Sequence, residues 1–220
     1  MKLHWSPRSP FVRKVCIILE EIGLTDEVER VRSLAIFAAP PNPDILKDNP
    51  LGKIPALITD DGQVLFDSRV ICEHLIAISN RDDLLPEEAR IKHLRWQALG
   101  DGLIDILLLW RTERGRGDHA DPVILAALET KTRAALVVLE NECAQLSTVG
   151  FGLGHVSVVC ALGHLDFRYG DCGWKAALPR LAAWYTKIAE RPSVTATAVV
   201  DDGAGPAGSI DSSPSFTFRN

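Results

Sequence analysis

Apolar residues at Phe11, Val15, Leu19 and Ile22 recur at the spacing of one buried helix face, which predicts a helix over 10–23 stopped by Gly23. Residues 1–5 before it read as a strand. Beyond it, Val28 and Val31 alternate imperfectly among charges, a weak strand pattern over 27–32. An irregular Pro-rich loop covers 38–43, and 44–48 suits one helical turn. Ala56-Leu57-Ile58-Thr59 and Gln63-Val64-Leu65-Phe66 flank Asp60-Asp61-Gly62. Asp-Gly supplies the backbone conformations of a tight hairpin turn. Ile71, Leu75 and Ile78 then return to helical period over 68–78. The order β-α-β then β-β-α predicts a compact α/β unit over 1–79.

Strand patterns nearly vanish after a polar, turn-rich linker at 80–86. Four helices are expected: from Pro86 to about Arg114, from Asp121-Pro122 to about Gln145, over 153–169, and over 178–190. Asp121 and Pro122 suit the N-cap and first helical position, and Pro192 follows the last helix. The third helix is apolar almost all round, at Val156, Val158, Val159, Ala161, Leu162, Leu165 and Phe167, which predicts the centre of a bundle. Residues 87–202 thus form an all-helical second domain. The Gly-, Ser- and Pro-rich tail 203–220 has only Phe216 and Phe218 as anchors and is expected not to order itself.

A chain of 220 residues with 46% hydrophobic content suits one large domain or two small ones. Its net charge of −5 argues against a nucleic-acid partner. The apolar stretch 104–110, interrupted by Asp105 with Asp101 upstream, is far too short for a membrane span, and the N-terminus has no secretory pattern. Cys16, Cys72, Cys143, Cys160 and Cys172 are odd in number and include no C-x-x-C pair, which fits reduced thiols in a cytoplasmic protein. The first four lie in helical patterns as small core residues. His93, His119, His155 and His164 are scattered, and no Cys/His set has metal-ligand spacing.

Three stretches could carry chemistry. Ser9-Pro10 opens the first helix, with Pro10 at the position where its missing N–H costs nothing. Ser9 is then the N-cap. A helix start offers free N–H groups and partial positive charge, so the Ser9 hydroxyl could also face a ligand's thiolate. Ser6 is a rival, but lies before the helix. In Asn49-Pro50-Leu51-Gly52-Lys53-Ile54-Pro55-Ala56-Leu57, Pro55 precedes a strand. A cis Ile54–Pro55 bond would leave the Ile54 backbone facing out to pair with an extended peptide; a trans Pro at a loop end is the plainer alternative. Asp67 or Ser68 caps the next helix, and together they could hold an α-amino-acid head group, Asp67 taking the ammonium and Ser68 the carboxylate.

An amino-acid head, a peptide bond and a thiol describe glutathione, and the stretches that would bind it carry a family likeness. Ser6-Pro-Arg-Ser9-Pro10-Phe11-Val-Arg-Lys, Leu51-Gly-Lys53-Ile54-Pro55-Ala-Leu and Asp67-Ser68-Arg-Val-Ile-Cys-Glu-His-Leu resemble the cytosolic glutathione S-transferases, particularly bacterial members with serine at the active position. Gly154 through Arg168 and Pro179 through Ser193 extend the likeness to about residue 200. The resemblance implies a thioredoxin-like domain followed by a helical bundle, usually as a homodimer. It implies Ser9 as the residue that hydrogen-bonds the sulfur of glutathione as co-substrate. Ile54 would pair with the cysteinyl part beside a cis Pro55, Lys53 would lie near the glycyl end, and Asp67 and Ser68 would bind the γ-glutamyl group. It suggests that Asp101 reaches a neighbouring subunit's glutathione.

The family's buried helix usually opens on Ser or Thr, often with an acidic residue three later; here Gly152 and His155 stand at those positions. That departure is expected to lose a few tenths of a kcal/mol. Phe151 and Val156 keep the spacing of a hydrophobic staple, and Asp166 reads as a structural hydrogen-bonder. Arg8, Arg13 and Lys14 would add positive field at Ser9. A small electrophile is expected between the domains, with Trp5, Trp110 and Arg111 as candidate walls. Serine cannot form a mixed disulfide, so thiolate addition is expected rather than disulfide exchange. Related activities stay open: isomerisation, reductive dehalogenation, peroxide reduction, or binding without catalysis.

Overall fold

The computed structural model describes residues 1–203 and 217–218. The first half runs β1 (Lys2–Trp5), α1 (Pro10–Ile22), β2 (Glu29–Arg32), α2 (Pro43–Asp48), β3 (Leu57–Ile58), β4 (Val64–Leu65) and α3 (Ser68–Ser79). The strands form one sheet in the order β2-β1-β3-β4. β1 is parallel to β2, with Leu3 opposite Arg30, and antiparallel to β3, with Leu3 opposite Leu57; β3 and β4 form the hairpin. Gly62 at φ 85° closes its turn. Leu3, Leu57, Val15, Ile18, Ile71 and Leu75 make the core between sheet and helices. His4 sits in that interior at no polar cost, because Nδ1 lies 2.8 Å from Ser33 Oγ and Nε2 lies 2.7 Å from Asp48.

The second half is helical: α4 (Arg90–Arg114), α5 (Pro122–Asn141), α6 (Cys143–Thr148), α7 (Leu153–Tyr169), α8 (Trp174–Ala177), α9 (Pro179–Ala189) and α10 (Pro192–Ala196). The chain therefore has a thioredoxin-like domain followed by a helical bundle. From Leu153 to Leu165 every residue of α7 is buried. Helix α4 crosses it closely, and a Cβ at Gly100 would stand 2.6 Å from the Ser157 carbonyl carbon.

The expected helix from residue 121 to about 145 is in fact two, broken at Glu142. Long-range polar contacts flank the break. Glu142 takes the Trp96 indole N–H at 2.7 Å, and Glu140 takes the Leu181 N–H at 2.6 Å, capping α9. At α7 the Gly152/His155 departure resolves into a different cap. His155 Nδ1 accepts the Gly152 N–H at 3.2 Å, and His93 Nδ1 accepts the Gly154 N–H at 3.3 Å. Gly152 is demanded sterically, since a Cβ there would lie 2.3 Å from the Leu84 carbonyl oxygen. Asp166 binds the Trp174 indole at 2.8 Å and Lys175 at 2.7 Å.

The two halves are joined by charge as well as apolar contact. Glu21 at the end of α1 pairs with Arg191 at 2.6 and 2.7 Å. Of the tail's two expected anchors, Phe216 lies outside the described residues. Phe218 donates its N–H to the Cys172 carbonyl at 2.8 Å, with the Arg133 guanidinium 4.6 Å above its ring. All five cysteines are buried and free. Among the described residues no helix is long and apolar enough to cross a membrane.

Candidate functional site

Strand register gathers the three chemical stretches at one end of the strands. The chain leaves β1 at Trp5 and turns through Ser6–Arg8 to Ser9. His4 N–H donates to the Ala56 carbonyl at 2.9 Å, so Pro55 lies beside the end of β1. β4 pairs Leu65 with Leu57, and Phe66–Ser68 therefore emerges at the same end of the strands.

Ser9 is the N-cap of α1, at φ −81° and ψ 119°. Its Oγ accepts the Val12 N–H at 3.3 Å. A hydroxyl has one proton to give and two lone pairs to receive. Capping therefore leaves the Ser9 O–H able to donate, and among the described residues neither it nor the Phe11 N–H is spent elsewhere. The cap and the anion-binding roles are compatible in one side chain. Ser6 is buried, and its Oγ faces the Arg8 N–H at 3.4 Å.

The Ile54–Pro55 bond is cis. Among the described residues the Ile54 backbone has no partner, and its side chain is half-buried. Asn49, which the sequence did not single out, shapes this loop. Buried itself, it accepts the Leu51 N–H at 3.0 Å through Oδ1 and donates from Nδ2 to the Lys53 carbonyl at 2.9 Å. The Lys53 side chain is exposed.

Of the two candidates for the α3 cap, Asp67 holds the position: its Oδ1 accepts the Arg69 N–H at 3.0 Å. Asp67 is exposed and Ser68 is buried at the first helical position. Asp105 of α4 completes this neighbourhood. Loss of solvation pushes its carboxyl up, Lys53 and Arg69 pull it down, and Asp101 and Asp67 push it up again.

Three expectations change. Asp101 is only 1% exposed and lies inside its own chain, 2.8 Å from Lys14 Nζ through both oxygens and 2.9 Å from Arg69 Nε. With those oxygens committed, it is not poised to reach a second chain's ligand. Lys14, fully buried in that pair, does not lend an open field to Ser9, and Arg13 is turned to the Val194 carbonyl at 3.1 Å. Trp110 is no open wall, since it is 2% exposed and stacks on Tyr169 with ring centroids 5.4 Å apart. Trp5 is half-buried, and burial pushes the Cys16 thiol of α1 up to about 11. Arg111 lies in the last turn of α4, and burial pushes its guanidinium down from its ordinary value. Among the described residues no three His, Cys, Asp or Glu side chains gather as a metal site.

Residues 8–78 match the family description "Glutathione S-transferase, N-terminal domain" and residues 122–187 match "Glutathione S-transferase, C-terminal domain". An uncharacterised glutathione S-transferase-like protein of Escherichia coli, YibF, is 33% identical, the match covering 90% of this chain and 98% of that one. Glutathione S-transferase 3 of Zea mays is 30% identical, over 90% of this chain and 92% of its own. A glutathione transferase family member from Pseudomonas fluorescens Pf-5, crystallised with bound glutathione, is 42% identical with a TM-score of 0.85, covering 89% of this chain and 97% of that one. With the fold, the order of the three stretches and these likenesses in agreement, the chain belongs to the glutathione S-transferase family.

Proposed function

We propose that this protein is a glutathione transferase in which Ser9 holds the glutathione sulfur as a thiolate for attack on small electrophiles. The observation that carries the reading is the Ser9 hydroxyl, fixed as an N-cap acceptor while its own proton stays available. The glutathione bound by the Pseudomonas relative supports a tripeptide ligand here. In this reading the tripeptide lies across the end of the strands where the three stretches meet. The Ile54 backbone beside Pro55 pairs with the cysteinyl residue as an added strand does. Lys53 approaches the glycyl end, the Asp67 carboxylate takes the γ-glutamyl ammonium, and Ser68 with the start of α3 takes its carboxylate.

A free thiol ionises near pH ~8.5, so at neutral pH it is mostly protonated. Lowering that value by about two units takes about 2.7 kcal/mol of preference for the anion. A hydroxyl hydrogen bond to charged sulfur contributes about 1.5–3 kcal/mol, and the α1 start adds about 0.3–2 kcal/mol. These two contributions suffice without Arg13 or Lys14, whose side chains serve the domain junction. The thiol proton leaves to solvent. The sulfur lone pair then forms the carbon–sulfur bond while the electrophile's displaced pair takes a proton or departs with a halide.

The test is calorimetric titration with glutathione, followed by conjugation assays with an aryl halide, an enone and a hydroperoxide. Binding together with conjugation of the halide or enone supports the proposal. Binding without turnover of any of the three would point to the binding-only reading, and turnover of the hydroperoxide alone to a peroxidase.

A further inference from the structure

The Ile54 backbone that would receive glutathione stands at the end of a thinly held stretch of chain. Of the described residues from 34 to 54, only Ile45 and Asn49 are buried. Helix α2 is six residues long and buries only Ile45. So short a helix, with so little apolar contact, opens easily unless something ties it down. Among the described residues, one side-chain hydrogen bond ties it to a strand: His4 Nε2 donates to Asp48 Oδ2 at 2.7 Å. Asp48 is the last residue of α2, and Asn49 follows it as the cap.

This tether starts from the interior. His4 lies in β1 and is 2% exposed, and its N–H donates to the carbonyl of Ala56, the residue after Pro55, at 2.9 Å. A carboxylate only accepts, so Nε2 carries the proton that faces Asp48. On the other side of the ring, Nδ1 lies 2.8 Å from Ser33 Oγ. Ser33 either gives its proton to Nδ1 or takes one from it and gives its own to the Val31 carbonyl at 3.1 Å. In both arrangements the two ring nitrogens are satisfied and the bond to Asp48 stands. Ser33, His4 and Asp48 have the side chains of a nucleophilic triad, but Ser33 is 4% exposed and closed to a substrate. What the three groups reach is the loop. Asn49, next to Asp48, accepts the Leu51 N–H at 3.0 Å and donates to the Lys53 carbonyl at 2.9 Å, one residue before Ile54.

We propose that His4 and Asp48 are positioning residues for the glutathione site: the β1 imidazole fixes the end of α2, which sets loop 49–54 and with it the Ile54 backbone that pairs with the cysteinyl residue. The proposal rests on the reading of Ile54 as the strand-like partner of glutathione. Without the tether, α2 and its loop leave the sheet part of the time. Apparent affinity then falls with the docked fraction, so a loop docked a tenth of the time binds about tenfold more weakly. The Ser9 cap belongs to another segment, and the ionisation of glutathione already bound does not change. Affinity and chemistry thus separate. Asp48 separates them most cleanly, because it lies off the strand that leads to Ser9.

The experiment compares the full-length protein with Asp48→Ala, Asp48→Asn, His4→Leu and Asp44→Ala. It measures calorimetric titration with glutathione, thiolate absorbance of bound glutathione against pH, and hydrogen exchange of the unliganded chains. Asp48→Ala is expected to weaken glutathione binding by about 3- to 10-fold, with the thiolate titration unmoved. Its Leu51 and Gly52 amides exchange faster, while those of α1 keep their wild-type rates. Asp48→Asn, whose amide oxygen still accepts the imidazole N–H, keeps most of the affinity. Asp44→Ala removes a carboxylate of the same helix that pairs with Lys47 at 2.8 Å in the open, and it binds like wild type. His4→Leu weakens binding as Asp48→Ala does; because it alters the core, the Asp48 variants carry the test if it does not fold. Asp48→Ala binding within about twofold of wild type, or exchange that rises equally in α1, overturns the proposal. Wild-type protein that binds no glutathione overturns the glutathione reading and this proposal with it. Glutathione bound equally by wild type and Asp48→Ala overturns this proposal alone.

Discussion

Replacing Ser9 separates the two roles that the geometry assigns to one oxygen. As an N-cap its Oγ accepts the Val12 N–H at 3.3 Å, and Ser9→Ala forfeits about 0.5–2 kcal/mol of stability. Ser9→Gly forfeits only a few tenths of a kcal/mol, because glycine is a tolerable cap. Neither variant has a hydroxyl to give to sulfur. If that donation contributes about 1.5–3 kcal/mol, both variants raise the bound thiol by about one to two pKa units. Turnover below the wild-type value then falls by roughly 10- to 150-fold in both. The deficit closes as pH rises past the free thiol's own ionisation. Ser9→Thr, which keeps cap and hydroxyl, stays near wild type. The assay is thiolate absorbance of bound glutathione against pH, with kcat profiles and urea unfolding of the same four proteins. A structural role makes activity follow stability, so that Ser9→Gly turns over like wild type and Ser9→Ala does not. That pattern, or an unshifted thiol in both variants, removes Ser9 from the chemistry.

The remaining expectations concern what holds the site in place. His155 and His164 are buried and held neutral, their values lowered from 6.5 to about 4 and about 3. The unfolded chain takes up these protons first as pH falls below 6.5, so stability present above that value is lost toward pH 4. Between pH 7 and pH 5 the two together remove roughly 3–4 kcal/mol; urea midpoints at both pH values check this, and a flat profile with His155→Gln unchanged contradicts it. Lys14→Met leaves the Asp101 carboxylate buried beside Arg69 alone and costs about 3–5 kcal/mol, whereas Lys14→Met with Asp101→Leu costs much less. A single variant within about 1 kcal/mol of wild type on denaturation would deny the pair its role at the domain junction. Gly152→Ala drives a Cβ to 2.3 Å from the Leu84 carbonyl, while nothing lies within 4 Å of one at Gly150. Thermal melts should show Gly152→Ala destabilised by about 1–3 kcal/mol and Gly150→Ala nearly neutral.

Where a residue's role depends on its immediate neighbours, the sequence disclosed it. Helices α1 and α5 were legible because Ser9-Pro10 and Asp121-Pro122 cap and start them within two residues, and α7 because its apolar positions run nearly unbroken. The candidate glutathione stretches were legible for the same reason, since each is a contiguous motif that turns at a helix start or a proline. What stayed hidden is set by partners far along the chain. The Glu142 carboxylate meets the Trp96 indole across 46 positions, and Lys14 meets Asp101 across 87. No local pattern distinguishes a lysine paired in the interior from one facing solvent beside a catalytic loop. His93 and His155 looked scattered until the crossing of α4 and α7 brought both to one helix start. The electrophile wall makes the limit sharpest. Trp110 stands beside Arg111 in α4, and the sequence offers both, with Trp5, as candidate walls. The Trp110 ring is buried and stacks on Tyr169 of α7, which removes it from any open wall. That burial follows from how two helices seat against each other rather than from either residue alone.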